Sequence, residues 1–514
     1  MTIVPQDCQQ RSDTRKHCLV LANSLANQVG AQQEIVSGAI NSWLRDARQA
    51  TRPFTILTPD EEAFQLGMAT VTPISKGVHC MDPALGRRFN GSGGWQIMHS
   101  DAYSRFYPRD VLDEMLDAAE VYRRDSLFAA VVELLERKQP DESIESAFLE
   151  RFRAPLAALP AHSTVSFEGS KIIGLPIRYA RDLRVRGVRT MVRWHEAVPE
   201  PDQILSFRWG RQMVESLGCV DTVLLHTDTY RRRLETSFER SGLSHKPETR
   251  TYRLGIDFEK FQRESGRLSL SNVHRELADF ESLTVRQKNL LLESLATRVS
   301  VPNRWVIADT LDPIKGSLQA YEAISEFLRS ETSRLGPAGI QRQHRFFIVQ
   351  SPRFLSDTHD PFNMNVAYQK AALAARQDLE QSFPGIVFSC ECFRGNHYPA
   401  LTAVYEHSTA LSGGVNEGLN LVIPESLYVN YLLNNSINHG IIGSGAGFAM
   451  QCMERGAGED GFFPAAGDVR EFVKSMQDLV MLRERNPHEL RQRLERLVTR
   501  EILNRTERLM SAPE

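Results

Sequence analysis

Residues Ser412 to Leu427 read SGGVNEGLNLVIPESL. Gly413 and Gly414 precede Glu417-Gly418, the run Leu419-Asn420-Leu421-Val422-Ile423 follows, and Glu425 closes the pattern. Just upstream, ALTAVYEHSTA (Ala400 to Ala410) ends in small apolar residues that suit a short buried strand. Strand, glycine-bearing loop and helix are how an open α/β sheet turns backbone N–H groups toward a phosphate. Glu425, early in the expected helix, is placed to accept hydrogen bonds from ribose hydroxyls. Taken alone, such a loop serves equally as an ordinary strand-to-helix turn, so the fold has to be read from the rest of the chain.

Strand and helix signals alternate on both sides of this stretch. In the first half, strands are expected at His17 to Ala26, Phe54 to Leu57, Thr164 to Pro176 (with its turn), Val188 to Trp194 and Thr222 to His226. Helices are expected at Gln32 to Arg45, Pro108 to Lys138, Asp141 to Leu156 and Tyr230 to Phe238. The strand at Val188 delivers His195-Glu196-Ala197-Val198-Pro199 at its C-terminal end, where ligands sit in open α/β sheets. Phe89 to Trp95 is rich in glycine; Trp95 with His99 either lines a pocket or plugs the core. Arg231 to Arg233 reads as a solvated basic face.

The second half restarts at Asn303 to Ala308 after a polar helical segment, Ser265 to Ser300, taken as a connector. A loop at Asp309 to Gly316 leads into a helix that Ser317 is expected to cap. Strands follow at Gln343 to Gln350, Gly385 to Ser389 and Gly440 to Gly443, with helices at Asn365 to Gln381, Asp468 to Leu482 and Pro487 to Leu509. Two doubly wound α/β domains are therefore expected: residues 1–260 and 261–485, with 486–514 as a C-terminal helix packing back on the first. No internal repeat is visible.

With 514 residues, one core is too few. A net charge of −3 offers no basic field for nucleic acid or for a membrane surface. No apolar run reaches the roughly 20 residues of a membrane span, and the N-terminus lacks a signal-peptide core. Seven scattered cysteines argue for reduced thiols and a cytoplasmic protein. Cys390 and Cys392 read as buried small hydrophobes rather than metal ligands. No Asp-x-Asp metal pair is evident, so neither a metal nor a cofactor is expected. The sequence is silent on oligomeric state, and a homo-oligomer is compatible with it.

The ordered set of motifs resembles the trehalose-6-phosphate synthase family of retaining GT-B glycosyltransferases and its pseudo-glycosyltransferase relatives. Ser37-Gly38-Ala39 resembles the phosphate-facing Gly-Gly-Leu. Phe89-Asn90, and Trp95 with His99, resemble Tyr-Asn and Trp-x-x-x-His. His195 to Pro199 resembles His-x-Pro-Phe-Pro. His226-Thr227 with Tyr230, and Gly255-Ile256-Asp257, are further matches. Leu311-Asp312 with Ile314-Lys315-Gly316 is similar to the family's Arg-Leu-Asp-Tyr-Ile-Lys-Gly after its first residue. Ala367-Tyr368-Gln369 also recurs. Glu417 to Val422 with Glu425 is similar to Asp-Gly-Met-Asn-Leu-Val-x-x-Glu.

The resemblance implies two Rossmann-like domains facing across a cleft and a nucleoside-diphosphate-sugar donor. It gives His195, Glu417 and Lys315 the catalytic roles. Lys315, Gly38, Asn420, the N–H groups of Leu421 and Val422, and Glu425 would hold the donor. Asn90, Trp95, Arg353 and Glu168 would lie on the acceptor side.

Departures bear on substrate. Thr310 replaces the arginine before Leu-Asp, leaving Arg304 or Arg353 to substitute for it. Ser24 replaces the arginine that meets the acceptor phosphate, and Glu168-Gly169-Ser170 falls where His-Asp-Tyr is expected. These changes point away from glucose 6-phosphate and toward another sugar, polyol or amino-cyclitol acceptor, in specialised-metabolite or compatible-solute biosynthesis. A non-catalytic sensor or scaffold and a true trehalose-6-phosphate synthase are the alternative readings.

Overall fold

The computed structural model describes the strands between His17 and Pro73 and residues 152–503, apart from 169–173, 196, 199, 207, 253–255, 257, 278–279, 312–314, 352–363, 394–397 and 416. The helices expected at Gln32 to Arg45 and Pro108 to Lys138, the glycine-rich loop and its Trp95 and His99, and Gly38, Asn90 and Arg353 lie outside the described residues.

Two sheets organise the chain. The first contains β1 (His17–Val20), β2 (Phe54–Thr58), β3 (Phe64–Leu66), β4 (Ala69–Pro73), β5 (Thr164–Glu168), β6 (Arg189–Arg193), β7 (Thr222–Leu225) and β8 (Glu248–Thr251). Their spatial order is β3-β4-β2-β1-β5-β6-β7-β8, parallel except for the β3–β4 pair. The second contains β9 (Asn303–Thr310), β10 (His344–Ser351), β11 (Val387–Cys390), β12 (Thr409–Ser412) and β13 (Gly440–Ile442), in the order β11-β10-β9-β12-β13 and parallel throughout. Strand order reverses between β9 and β12, and the crevice beyond their C-terminal ends is where such a sheet receives a ligand.

Helices cover both sheets. The first carries α1 (Gly174–Val185), α2 (Arg208–Gly218) and α3 (Asp228–Ser241). The second carries α4 (Val285–Ala296), α5 (Ser317–Gln343), α6 (Met364–Ser382), α7 (Tyr398–Tyr405), α8 (Val422–Leu427), α9 (Gly447–Glu454), α10 (Val469–Arg485) and α11 (Pro487–Glu501). Successive strand residues point to opposite faces, and the core divides accordingly. Val306, Phe347 and Val349 join one cluster beneath α4 and α7, while Trp305, Ile307, Phe346 and Ile348 join another beneath α5 and α6. Through Leu494, Leu497 and Val498, α11 packs into the first of these, against α9 and the residues around it.

Several local readings need correcting. The stretch from Ala400 to Ala410 does end in a buried strand, which begins at Thr409, but the apolar residues before it, Tyr398 to Tyr405, form helix α7. A helix buried on nearly every side carries no polar face, so its periodicity cannot be told from that of a buried strand. Ser317 does not cap α5: Gly316 holds the N-cap position at φ +64°, while Ser317 Oγ accepts from Gln350 Nε2 at 3.1 Å. The Arg231 to Arg233 run is more than a solvated face. Arg231 pairs with Asp228 and Glu235, and Arg233 donates to Val198 O at 2.9 Å.

The loops that follow β9, β12 and β13 touch backbone to backbone. A Cβ on Gly443 would stand 1.9 Å from Gly413 O, and one on Gly447 would stand 1.9 Å from Gly418 O. Only glycine fits at such contacts. Gly443→Ala should therefore cost stability at or beyond the upper end of ordinary overpacking, about 3 kcal/mol. Gly456→Ala meets open space at φ +74° and should cost about 1 kcal/mol. Urea unfolding of the two variants compares them, and an equal or smaller loss for Gly443→Ala would rule out the packed seam.

Candidate functional site

At the β9–β12 switch point, Lys315 meets two carboxylates. Its Nζ pairs with Glu417 Oε1 and lies 3.2 Å from Asp309 Oδ1. Asn420 Nδ2 donates to Glu417 Oε2 at 3.0 Å and approaches Ser412 Oγ at 3.1 Å, and Ser412 Oγ donates to Asp309 Oδ2 at 3.3 Å. Asn420 Oδ1 accepts from the Ile423 N–H at 3.1 Å, which ties the loop to the first turn of α8. The Asp309 and Glu417 side chains are 7% and 3% exposed and that of Lys315 is 18% exposed.

Backbone contacts fix these positions. Gly414 N donates to Lys315 O at 3.1 Å, Glu417 N donates to Gly445 O at 3.2 Å, and Gly447 N donates to Glu417 O at 2.9 Å. Burial opposes the Lys315 charge, but Asp309 and Glu417 outweigh it and hold the ammonium above the ordinary lysine pKa. Burial raises the Glu417 carboxyl to about 7, with Asp309 adding to the rise and Lys315 and Asn420 opposing it.

A second cluster stands at the strand ends of the first sheet. His195 follows β6, His226 follows β7 and Tyr252 follows β8. Tyr252 Oη is 2.8 Å from His195 Nδ1 and 3.4 Å from His226 Nε2, and the two imidazole nitrogens are 3.4 Å apart. The start of α3 joins the two clusters. Tyr230 donates its hydroxyl to Glu417 O at 3.2 Å, and Gln451 of α9 donates to His226 O. The Glu454 carboxylate accepts from the Asp228 and Thr229 N–H groups at 2.9 and 2.6 Å.

Among the expected donor residues, the structure thus brings Lys315, Glu417 and Asn420 together. Leu421 and Val422 form the start of α8 and Glu425 lies half-buried within it. Glu168 ends β5. Arg304 does not substitute for the arginine absent at Thr310. It is fully buried, bonds Ser294 O and Oγ at 2.7 and 2.8 Å, and stacks on Phe347, where burial pushes its pKa down to about 9. Cys390 is buried and Cys392 half-buried, both as free thiols.

Sequence reasoning missed Asp309, Ser412 and Tyr252. Asp309 had a usable signal, a carboxylate next to last in the long buried run NRWVIADT. Tyr252 had none, because the strand before it, ETRT, is polar and lies at the sheet edge.

This arrangement is the GT-B glycosyltransferase fold. No family model matches the sequence, and no curated protein matches it either. Solved structures do match the fold. An α,α-trehalose-phosphate synthase (UDP-forming) from Burkholderia xenovorans, in complex with glucose-6-phosphate, superposes with a TM-score of 0.63 at 12% identity, over 94% of this chain and 96% of that one. The E. coli trehalose-6-phosphate protein bound with UDP-2-fluoro glucose gives 0.61 at 13% identity, over 95% and 96%. The N-terminal domain of Candida albicans trehalose-6-phosphate phosphatase gives 0.62 at 14% identity, over 95% and 94%. One fold thus serves proteins named for different reactions, and the chemistry has to be argued from the site. Among the described residues, no helix is long and apolar enough to cross a membrane.

The raised Glu417 pKa has a defined linkage sign. Between the ordinary glutamate value of 4.5 and about 7, the folded protein binds the proton that the unfolded chain releases. The stability that Glu417 contributes is therefore full below 4.5 and falls as pH rises to about 7. Relative to Glu417→Gln, the native protein should lose stability across this window in urea unfolding. A difference that stays constant from pH 4.5 to 8 would contradict it.

Proposed function

We propose that the chain is a retaining glycosyltransferase. It moves a sugar, or a sugar-like cyclitol, from a nucleoside diphosphate to a hydroxyl or amine of a small polar acceptor. The observation that carries this reading is Lys315, set at the switch point of the second sheet between Asp309 and Glu417, with Tyr230 tying Glu417 to the lobe that holds His195. A retaining transfer builds positive charge at the anomeric carbon while negative charge collects on the departing diphosphate. The protein's task is to position both partners and stabilise the leaving group.

On this reading Lys315 and the N–H groups of Leu421 and Val422 take the diphosphate, and Glu425 takes the ribose. Glu417 exchanges its bond to Lys315 for the hydroxyls of the transferred ring, which releases the ammonium to the diphosphate. His195 meets the ring from the other lobe. No step calls on a metal. The departures at Ser24 and at Glu168 to Ser170 favour an acceptor other than glucose 6-phosphate. The proposed chemistry needs neither a membrane nor nucleic acid.

A second reading, a scaffold that keeps the fold without transfer, draws on one observation. Lys315 is one cation against two carboxylates, and Thr310 stands where the resemblance expects another cation.

Calorimetry with UDP, GDP and ADP separates the two readings. The transferase reading expects at least one to bind. Lys315→Ala should weaken it by about 10- to 100-fold, the loss of one charge-assisted hydrogen bond of roughly 1.5–3 kcal/mol, and should abolish the slow donor hydrolysis that the transferase reading expects, followed by mass spectrometry. Binding of none of the three would favour the scaffold. Undiminished turnover by Lys315→Ala would place the diphosphate elsewhere.

A further inference from the structure

Three adjacent parallel strands, β6, β7 and β8, each end in a polar ring: His195, His226 and Tyr252. Tyr252 and His226 are 8% and 2% exposed, and His195 is half-buried. The rings of His226 and Tyr252 lie 4.6 Å apart between centroids, and that of His195 lies 5.5 Å from His226 and 6.2 Å from Tyr252. The phenol oxygen is thus between two imidazole nitrogens, His195 Nδ1 at 2.8 Å and His226 Nε2 at 3.4 Å.

A hydroxyl has one proton to give and can accept others. A phenol O–H donates more strongly than a neutral imidazole N–H, and an imidazole lone pair accepts better than a phenol oxygen. The Tyr252 proton therefore goes to the nearer nitrogen, His195 Nδ1, and the His226 Nε2–H is the group placed to donate to the phenol oxygen. The hydrogen bond made by one ring nitrogen decides where the proton on the other sits. With Nδ1 accepting, neutral His195 carries its proton on Nε2.

We propose that Tyr252 is a positioning residue that fixes His195 in the Nε2–H tautomer, with His226 completing the array, so that His195 meets its ligand as a hydrogen-bond donor. That the ligand is the transferred ring rests on the transferase reading above; the tautomer does not. An N–H donor suits a ring hydroxyl, and a ring held in one tautomer and one orientation loses little freedom when the substrate arrives.

The test is a long-range proton–nitrogen correlation spectrum of the full-length protein carrying 15N-labelled histidine, with the His195 signals assigned by their loss in His195→Gln. The native protein should show neutral His195 with the proton on Nε2, and Tyr252→Phe should convert it to a mixture of tautomers. In a donor-turnover assay Tyr252→Phe should lower kcat by about tenfold or more, as loss of a group that orients a reacting side chain does, with the donor KM changed less than about twofold. His226→Gln keeps the phenol and should keep the Nε2–H form. It also serves where Tyr252→Phe does not fold.

A native Nδ1–H form would overturn the proposal, and so would an unchanged tautomer in Tyr252→Phe. A tautomer altered by His226→Gln would overturn it as well. Should the native protein turn over no donor, the transferase reading falls, while the spectrum still decides the role of Tyr252.

Discussion

Where β9, β12 and β13 end, three loops meet main chain against main chain, and the site is built on that contact. The carbonyls of Gly413 and Gly418 fill the space that side chains at Gly443 and Gly447 would need, and Glu417 is bonded through both its N–H and its C=O to the β13 loop. Side chains that stand on such a frame have little freedom to drift. Lys315, Asp309 and Glu417 reach one another because their backbones are fixed, and Asn420 and Ser412 take up remaining carboxylate oxygens. The ion cluster is a poor source of stability, since removing charges from water costs about as much as their attraction returns. What it supplies is a set of dipoles and charges already oriented before a ligand arrives, the condition under which electrostatic stabilisation works best.

The two lobes share this frame through the first turn of α3. Thr227 caps the helix through Tyr230 N, while Glu454 accepts from the next two N–H groups across the lobe boundary. A carboxylate at a helix N-terminus meets both unsatisfied donors and the positive end of the dipole. In the same turn the Tyr230 hydroxyl reaches Glu417 O and His226 O receives Gln451, so the segment that shapes the imidazole cluster also touches the loop that carries the carboxylate. Movement of one lobe against the other would have to break these bonds. Tyr230 is fully buried, so its hydroxyl would lose its partner in a place where water does not readily replace it.

How far this was legible in the sequence depends on whether the cause was local. Buried central strands announce themselves, because β9 and β10 are apolar runs bounded by polar turns. The glycine loops were visible too, though not their reason: Gly443 and Gly447 are required by Gly413 and Gly418, thirty residues away in sequence, and nothing local says so. Lys315, Glu417 and Asn420 were singled out through the family resemblance, and the structure brings the three side chains into contact. Asp309 was passed over although it stands near the C-terminal end of a buried strand. Tyr252 could not be found, because β8 is a polar edge strand and the distances that matter arise only when β6, β7 and β8 align. The expectation for Arg304 failed for a similar reason: strand direction puts it at the N-terminal half of β9, at the opposite end of the strand from Lys315's loop, and Ser294 and Phe347 claim it.

On the transferase reading proposed above, Thr310 has the greatest bearing on the chemistry. With two carboxylates around one ammonium, the resting cluster carries a net negative charge whenever Glu417 is ionised, and a diphosphate approaching Lys315 would meet repulsion as well as attraction. In a low-dielectric site that repulsion is not screened away as it would be in water. Two events relieve it: protonation of Glu417, or transfer of its oxygens from the ammonium to hydroxyls on the donor ring. The second ties recognition of the sugar to recognition of the diphosphate: a bare nucleotide meets an ammonium still shared with Glu417, and engagement of the ring frees it further. A nucleoside diphosphate without its sugar would then bind less well than the same nucleotide bearing one. An arginine at position 310 would supply the charge outright and remove this dependence; without it, the transferase reading has the donor bind more tightly with its ring than without it.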